Sequence, residues 1–115
     1  MNYSFGYFEL HTPNFEKAKS FYGELLNWRF KDLDIPGMQY ALSEGNGLQG
    51  GMAQDGKPFW LNYVTVDDLD QTAQKAQRLG AKVLRARTEV PGEGAFVVIA
   101  DPLGAQLALW QQAKK

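Results

Sequence analysis

The sequence predicts an α+β fold: two βαβββ modules in one domain, forming a cup-shaped, curved mixed sheet with helices outside. Three observations predict it. "YFELHTPNFEKAKSFYGELL", from Tyr7, aligns without gaps on "LNYVTVDDLDQTAQKAQRLG", from Leu61. Each copy moves from period-2 alternation to helical spacing at the same place, and each is followed by three strand-like runs. Finally, neither half of 115 residues is long enough to bury much core alone.

The elements follow in order. The first strand is expected over Tyr7 to Thr12, and its counterpart over Leu61 to Val66. Asn14 and Asp68 are the helix N-caps, because their side-chain oxygens can accept from a free N–H of the first turn. Phe15, Ala18, Tyr22 and Leu25 form one apolar stripe, and Leu69, Ala73, Ala76 and Leu79 the other; both read as core faces. Gly80 ends the second helix, since it tolerates φ > 0. Gly23, inside the first helix, points to close helix–sheet contact. Strands are then expected over Trp28 to Leu33, Met38 to Ser43 and Leu48 to Gln54. In the second half they span Lys82 to Arg87, Ala95 to Ala100 and Gln106 to Trp110. "GNGLQGG", Gly45 to Gly51, reads as a hairpin turn followed by a bulge; no helix follows it, so it does not fit a phosphate loop. "QDGKP", Gln54 to Pro58, links modules of about 1–54 and 58–112.

Composition narrows the function classes. A net charge of -1 gives no basic face for nucleic acid. With no cysteine, disulfides, thiolate metal sites and a cysteine nucleophile are excluded. "MNYSFGYFEL" lacks the basic start and apolar run of a signal peptide. "AFVVIA" is too short to span a bilayer. A cytoplasmic protein without nucleic-acid or membrane partners is expected.

Three stretches, in order, resemble one family. "FEKAKSFYGELLNW" is similar to the first helix of the vicinal oxygen chelate superfamily, which holds glyoxalase I, bleomycin-resistance proteins and extradiol dioxygenases. "VTVDDLDQTAQKAQRLGAKV" resembles the start of its second module, and "IADPLGAQLALWQ" its closing hairpin. The nearest resemblance is to the subgroup of predicted enzymes related to lactoylglutathione lyase. The resemblance implies a homodimer. In the family's enzymes it also implies a divalent metal held by His, Gln or Glu from the first and last strands of each half. The corresponding positions here are Tyr7, Leu61, Ala108 and either Met52 or Gln54. Since a catalytic metal keeps about three protein ligands, the expectation is no metal and no cofactor.

The candidate site centres on Glu9 and His11, the latter the chain's single histidine. Alternation puts both on the face of Tyr7, opposite Phe8 and Leu10. Tyr63, Phe96 and Trp110 are expected on the inward face of the later strands, with Leu61, Thr65, Val98 and Gln106. Tyr7, Glu9, His11, Tyr63, Phe96 and Trp110 are the ligand-binding candidates, in an aromatic wall with few polar groups. Three functions follow. The chain binds a small organic molecule without metal. Alternatively, it is a glyoxalase-like lyase or isomerase, with Glu9 as base and His11 as acid or anion clamp. Or it is a structural or interaction module with a filled cup, Glu9 and His11 forming only a local ion pair. Tyr40 reads as half-buried sheet packing, and Trp60 as subunit interface.

Overall fold

The computed structural model describes residues 4–44 and 50–113. The elements are β1 (Ser4–Thr12), α1 (Phe15–Leu26), β2 (Arg29–Ile35), β3 (Met38–Glu44), β4 (Gly50–Gln54), β5 (Phe59–Thr65), α2 (Leu69–Arg78), β6 (Lys82–Val90), β7 (Gly94–Ala100) and β8 (Gln106–Gln112). The α+β class and the twofold βαβββ order are those expected. The expected turn at Gly45 lies outside the described residues.

The chain divides into two compact units, one from Tyr7 to Leu61, the other from Asn62 onward with the start of β1. The division therefore falls inside β5 rather than at "QDGKP". The cause is packing: Phe59 stacks on His11, and Trp60 meets Tyr22 edge-on, so the start of β5 belongs with the first unit.

Within the first unit the strand order is β2-β3-β4-β1, and within the second β6-β7-β8-β5. The strand before each helix pairs in parallel with the last strand of its module, as in Leu10 opposite Met52 and Val64 opposite Leu109. The β2–β3, β3–β4, β6–β7 and β7–β8 pairs are antiparallel. Each helix covers one face of its own sheet. Leu10, Phe15, Ala41 and Met52 form the core under α1, and Val66, Leu69, Ala95, Val97, Ile99 and Leu109 the core under α2.

The helix starts repeat in detail. Asn14 accepts from the N–H of Lys17 and Asp68 from that of Gln71, as expected of N-caps. A second donor, the N–H of the first helical residue, is also satisfied in both modules. Gln54, at the end of β4, accepts from Phe15 at 3.1 Å, and Gln111, near the end of β8, accepts from Leu69 at 2.7 Å. At the other end of α2, Gly80 has φ 103°. The N–H of Ala81 bonds the carbonyl of Ala76 and that of Gly80 the carbonyl of Gln77, a Schellman closure.

Several expectations are corrected. Leu25 and Leu79 are 62% and 69% exposed; each stripe outruns the sheet beneath it by one turn. A Cβ at Gly23 would meet only the Trp28 carbonyl, at an ordinary 3.5 Å, so no tight helix–sheet contact requires that glycine. The described β3–β4 register runs from Tyr40–Ala53 to Leu42–Gly51 without a shift, and the bulge expected ahead of it falls largely outside the described residues.

Candidate functional site

Alternation along β1 is as expected. Leu10 faces α1, while Tyr7, Glu9 and His11 occupy the other face and enter one hydrogen-bonded chain. Tyr40, on β3, donates to Glu9 Oε2 at 2.6 Å. Its single proton is then used, so the 2.5 Å contact between the Tyr7 and Tyr40 hydroxyls has Tyr7 as donor. Glu9 Oε1 accepts from His11 Nε2 at 2.6 Å, and Asp55 Oδ2 accepts from His11 Nδ1 at 2.9 Å. The order is Tyr7, Tyr40, Glu9, His11, Asp55.

Carboxylate oxygens face both nitrogens of His11. Both can be satisfied only if both carry protons, so the ring is an imidazolium. Phe59 lies flat against it, 4.4 Å between centroids and 12° between planes, a cation–π arrangement.

The electrostatics agree with this geometry. Burial disfavours the charge on His11, but the hydrogen bond and charge of Glu9, then those of Asp55, outweigh it and raise the pKa above 6.5. The Asp55 carboxyl is held below its usual 3.8, chiefly by the His11 hydrogen bond. Burial pushes the Tyr7 phenol up to about 12, against a lowering by the Tyr40 hydrogen bond and with a smaller rise from Glu9. Burial, then the Glu9 charge, raises Tyr40 as well.

A pH dependence follows, with opposite signs at its two ends. The raised His11 pKa contributes stability that is complete below 6.5 and lost as pH rises through the folded value above it. The lowered Asp55 pKa contributes stability that is present above 3.8 and lost as pH falls through the folded value below it. The urea midpoint should therefore be highest between those values. His11→Asn should flatten the alkaline decline; an unchanged decline in that variant would count against the assignment.

Gly51 makes room for this chain. A Cβ there would press on the Tyr7 and Tyr40 hydroxyls and sit 2.8 Å from Tyr40 Cζ. On β4, Gly51 pairs with Glu9 and Ala53 with His11, so the strand beside the charged residues carries almost no side chain.

Tyr63, Phe96 and Trp110 belong to the second unit. Tyr63 meets Phe96 edge-on at 6.0 Å, and Phe96 is the direct cross-strand partner of Trp110. Val97, Ile99 and Leu109 face α2, so Phe96, Val98 and Trp110 take the opposite face, as expected. The six candidates thus form two groups, one in each unit. Tyr40 and Asp55 were missed, and Tyr40 is corrected from sheet packing to a partner of Glu9. The signal for Gly51 was present: paired glycines inside a strand mark a close approach.

The positions where the family's enzymes hold metal do not fit one here. Tyr7 is a half-buried phenol engaged with Tyr40. Leu61 and Ala108 have no ligating atom. Met52 lies in the core under α1, and Gln54 is spent on Phe15 N–H and the Pro13 carbonyl. Among the described residues no three His, Cys, Asp or Glu side chains converge on a metal position.

Residues 4–109 match the Glyoxalase/Bleomycin resistance protein/Dioxygenase superfamily. The chain belongs to this superfamily. Among curated relatives, "Putative glyoxylase CFP32" of Mycobacterium bovis is 30% identical over 113 residues, covering 90% of this chain and 43% of that protein. "Anthracycline biosynthesis protein DnrV" of Streptomyces peucetius is 26% identical over 126 residues, covering 92% of this chain and 46% of that protein. The chain thus spans about half the length of the curated relatives it matches. The crystal structure of the hypothetical protein BH1468 from Bacillus halodurans C-125 matches with a TM-score of 0.77. It covers 100% of this chain and 98% of the other at 9% identity, a likeness in fold. Among the described residues no helix is long and apolar enough to cross a membrane.

Proposed function

We propose that this family member binds a small organic molecule, without the divalent metal of the family's enzymes. Two groups are candidate contact sites, each within its own unit: the polar Tyr7, Glu9 and His11 in the first, and the aromatic Tyr63, Phe96 and Trp110 in the second. The observation that carries the reading is the hydrogen-bonded chain on β1. It holds Glu9, 6% exposed, on the strand face turned away from the helix core. A stability role alone would be served as well by apolar residues of similar size. Perturbed titratable groups gather at functional sites. A catalytic role in the style of the lactoylglutathione lyase subgroup is less favoured. Glu9 is already engaged by His11 and Tyr40, and both ring nitrogens of His11 are engaged in turn.

The experiment is a small-molecule library screened by thermal shift, with elemental analysis of the purified protein. No stoichiometric divalent metal and an unchanged melting temperature in chelator are expected. Glu9→Gln and His11→Ala should each weaken the screened ligand strongly. Near-unit nickel, zinc or manganese that is lost in His11→Ala would overturn the metal-free reading. Unchanged affinity in both variants would overturn the binding role.

A homodimer belongs to the same proposal. Phe21 and Leu25, one turn apart on α1, and Trp60, 48% exposed, leave an aromatic surface around Tyr22. A second copy of the chain would cover it. Light scattering should give twice the monomer mass, and Trp60→Glu should shift it toward monomer. A monomer at micromolar concentration would refute it.

A further inference from the structure

The side chain of Arg85 is aimed by an irregularity in β6. Val83 packs with the core under α2. Strict alternation would put Arg85, two residues on, against the helix as well. Instead the register slips: Val83 pairs with Ile99, Arg85 with Val98 and Thr88 with Phe96, with shifts on both sides of Arg85. Such bulges re-aim a side chain. Arg85 arrives on the opposite face, its guanidinium 5.3 Å from the centroid of Phe96. Arg87 lies beyond the first shift and is paired with Asp70 and Glu89. Arg85 has no acidic partner among the described residues.

The surroundings of this cation are aromatic. Tyr63 stands edge-on to Phe96, and Trp110 is the cross-strand neighbour of Phe96. The indole of Trp110 leans over Gly94, where a Cβ would come within 2.8 Å of Trp110 Cζ2, so that glycine lets the ring settle against the strand. An unpaired guanidinium beside such rings offers forked donors for an anion and flat surfaces for a planar body.

We propose that Arg85 is the anion-binding residue of the aromatic group in the second unit, and that the ligand is a small planar carboxylate. The carboxylate bonds the guanidinium while its apolar body lies on Phe96 and Trp110. This rests on the small-molecule reading above and adds the ligand's charge to it.

The test compares 2-naphthoate with its uncharged isostere 2-naphthamide, by calorimetry and by NMR shift changes at Phe96 and Trp110. The naphthoate should bind about tenfold tighter, the scale of one charge-assisted hydrogen-bonded contact. Arg85→Met should erase that preference while leaving naphthamide unchanged, and Arg85→Lys should keep part of it. Both variants should melt with the parent, because Arg85 is exposed. A charge preference that survives Arg85→Met, or equal binding of the two probes to the parent protein, would overturn the role of Arg85 and leave the aromatic site standing. Absence of naphthoate binding at millimolar concentration would also overturn it. The wider reading falls only if the library screen fails too.

Discussion

Replacing Glu9 with alanine is expected to cost the fold about 3 kcal/mol, the lower end of what removing one partner of a buried ion pair costs. Two groups lose their acceptor at once, the Tyr40 hydroxyl and His11 Nε2–H. The loss stays at the lower end because His11 keeps Asp55 and its side chain is 15% exposed. Tyr40→Phe removes two hydrogen bonds, the one to Glu9 and the one from Tyr7, and should cost about 2 kcal/mol. In the double variant the two losses should not add, since both strike one network. Urea unfolding of the two single variants and the double measures all three. A Glu9→Ala loss below about 1 kcal/mol, the range of an exposed pair, would show that the network contributes little to the fold.

Gly51→Val is expected to destabilise by about 3 kcal/mol, the upper part of the range for overpacking. Both tyrosine hydroxyls stand where the new side chain must go, and Tyr40 Cζ is 2.8 Å from the first added carbon. Neither ring can move off without giving up the bond from Tyr40 to Glu9 or that from Tyr7 to Tyr40. Combining Gly51→Val with Tyr40→Ala should recover part of the loss, because the small residue vacates the space. No recovery in the pair would mean that the cost lies in the β4 backbone rather than in the tyrosines.

These two expectations separate what the sequence carried from what it hid. Module order, caps and strand faces were legible, because they depend on local spacing: Asn14 and Asp68 stand three residues before the amides they accept from. Glu9 and His11 were legible as a pair for the same reason. The burial of Glu9 under donors from His11 and Tyr40 was not legible, since it depends on a partner from another strand. Tyr40 and Asp55 come from 31 and 44 residues away. Their approach is set by strand register, which no local pattern encodes. Arg85 was hidden for the opposite reason: a regular alternation assigns it to the wrong face, and only the slipped pairing with β7 reveals the bulge.

The paired glutamine caps bear on the order in which the chain becomes structured. Helices of 12 and 10 residues are marginal in isolation. Each obtains a partner for its first amide only when the closing strand of its module arrives, 39 residues away for Gln54 and 42 for Gln111. The same closing strand pairs in parallel with the strand that leads into the helix, so one long-range encounter completes both. Neither module then has a half that can settle early. Helix and closing strand are bound into a single cooperative step, and chain-closure entropy dominates its barrier.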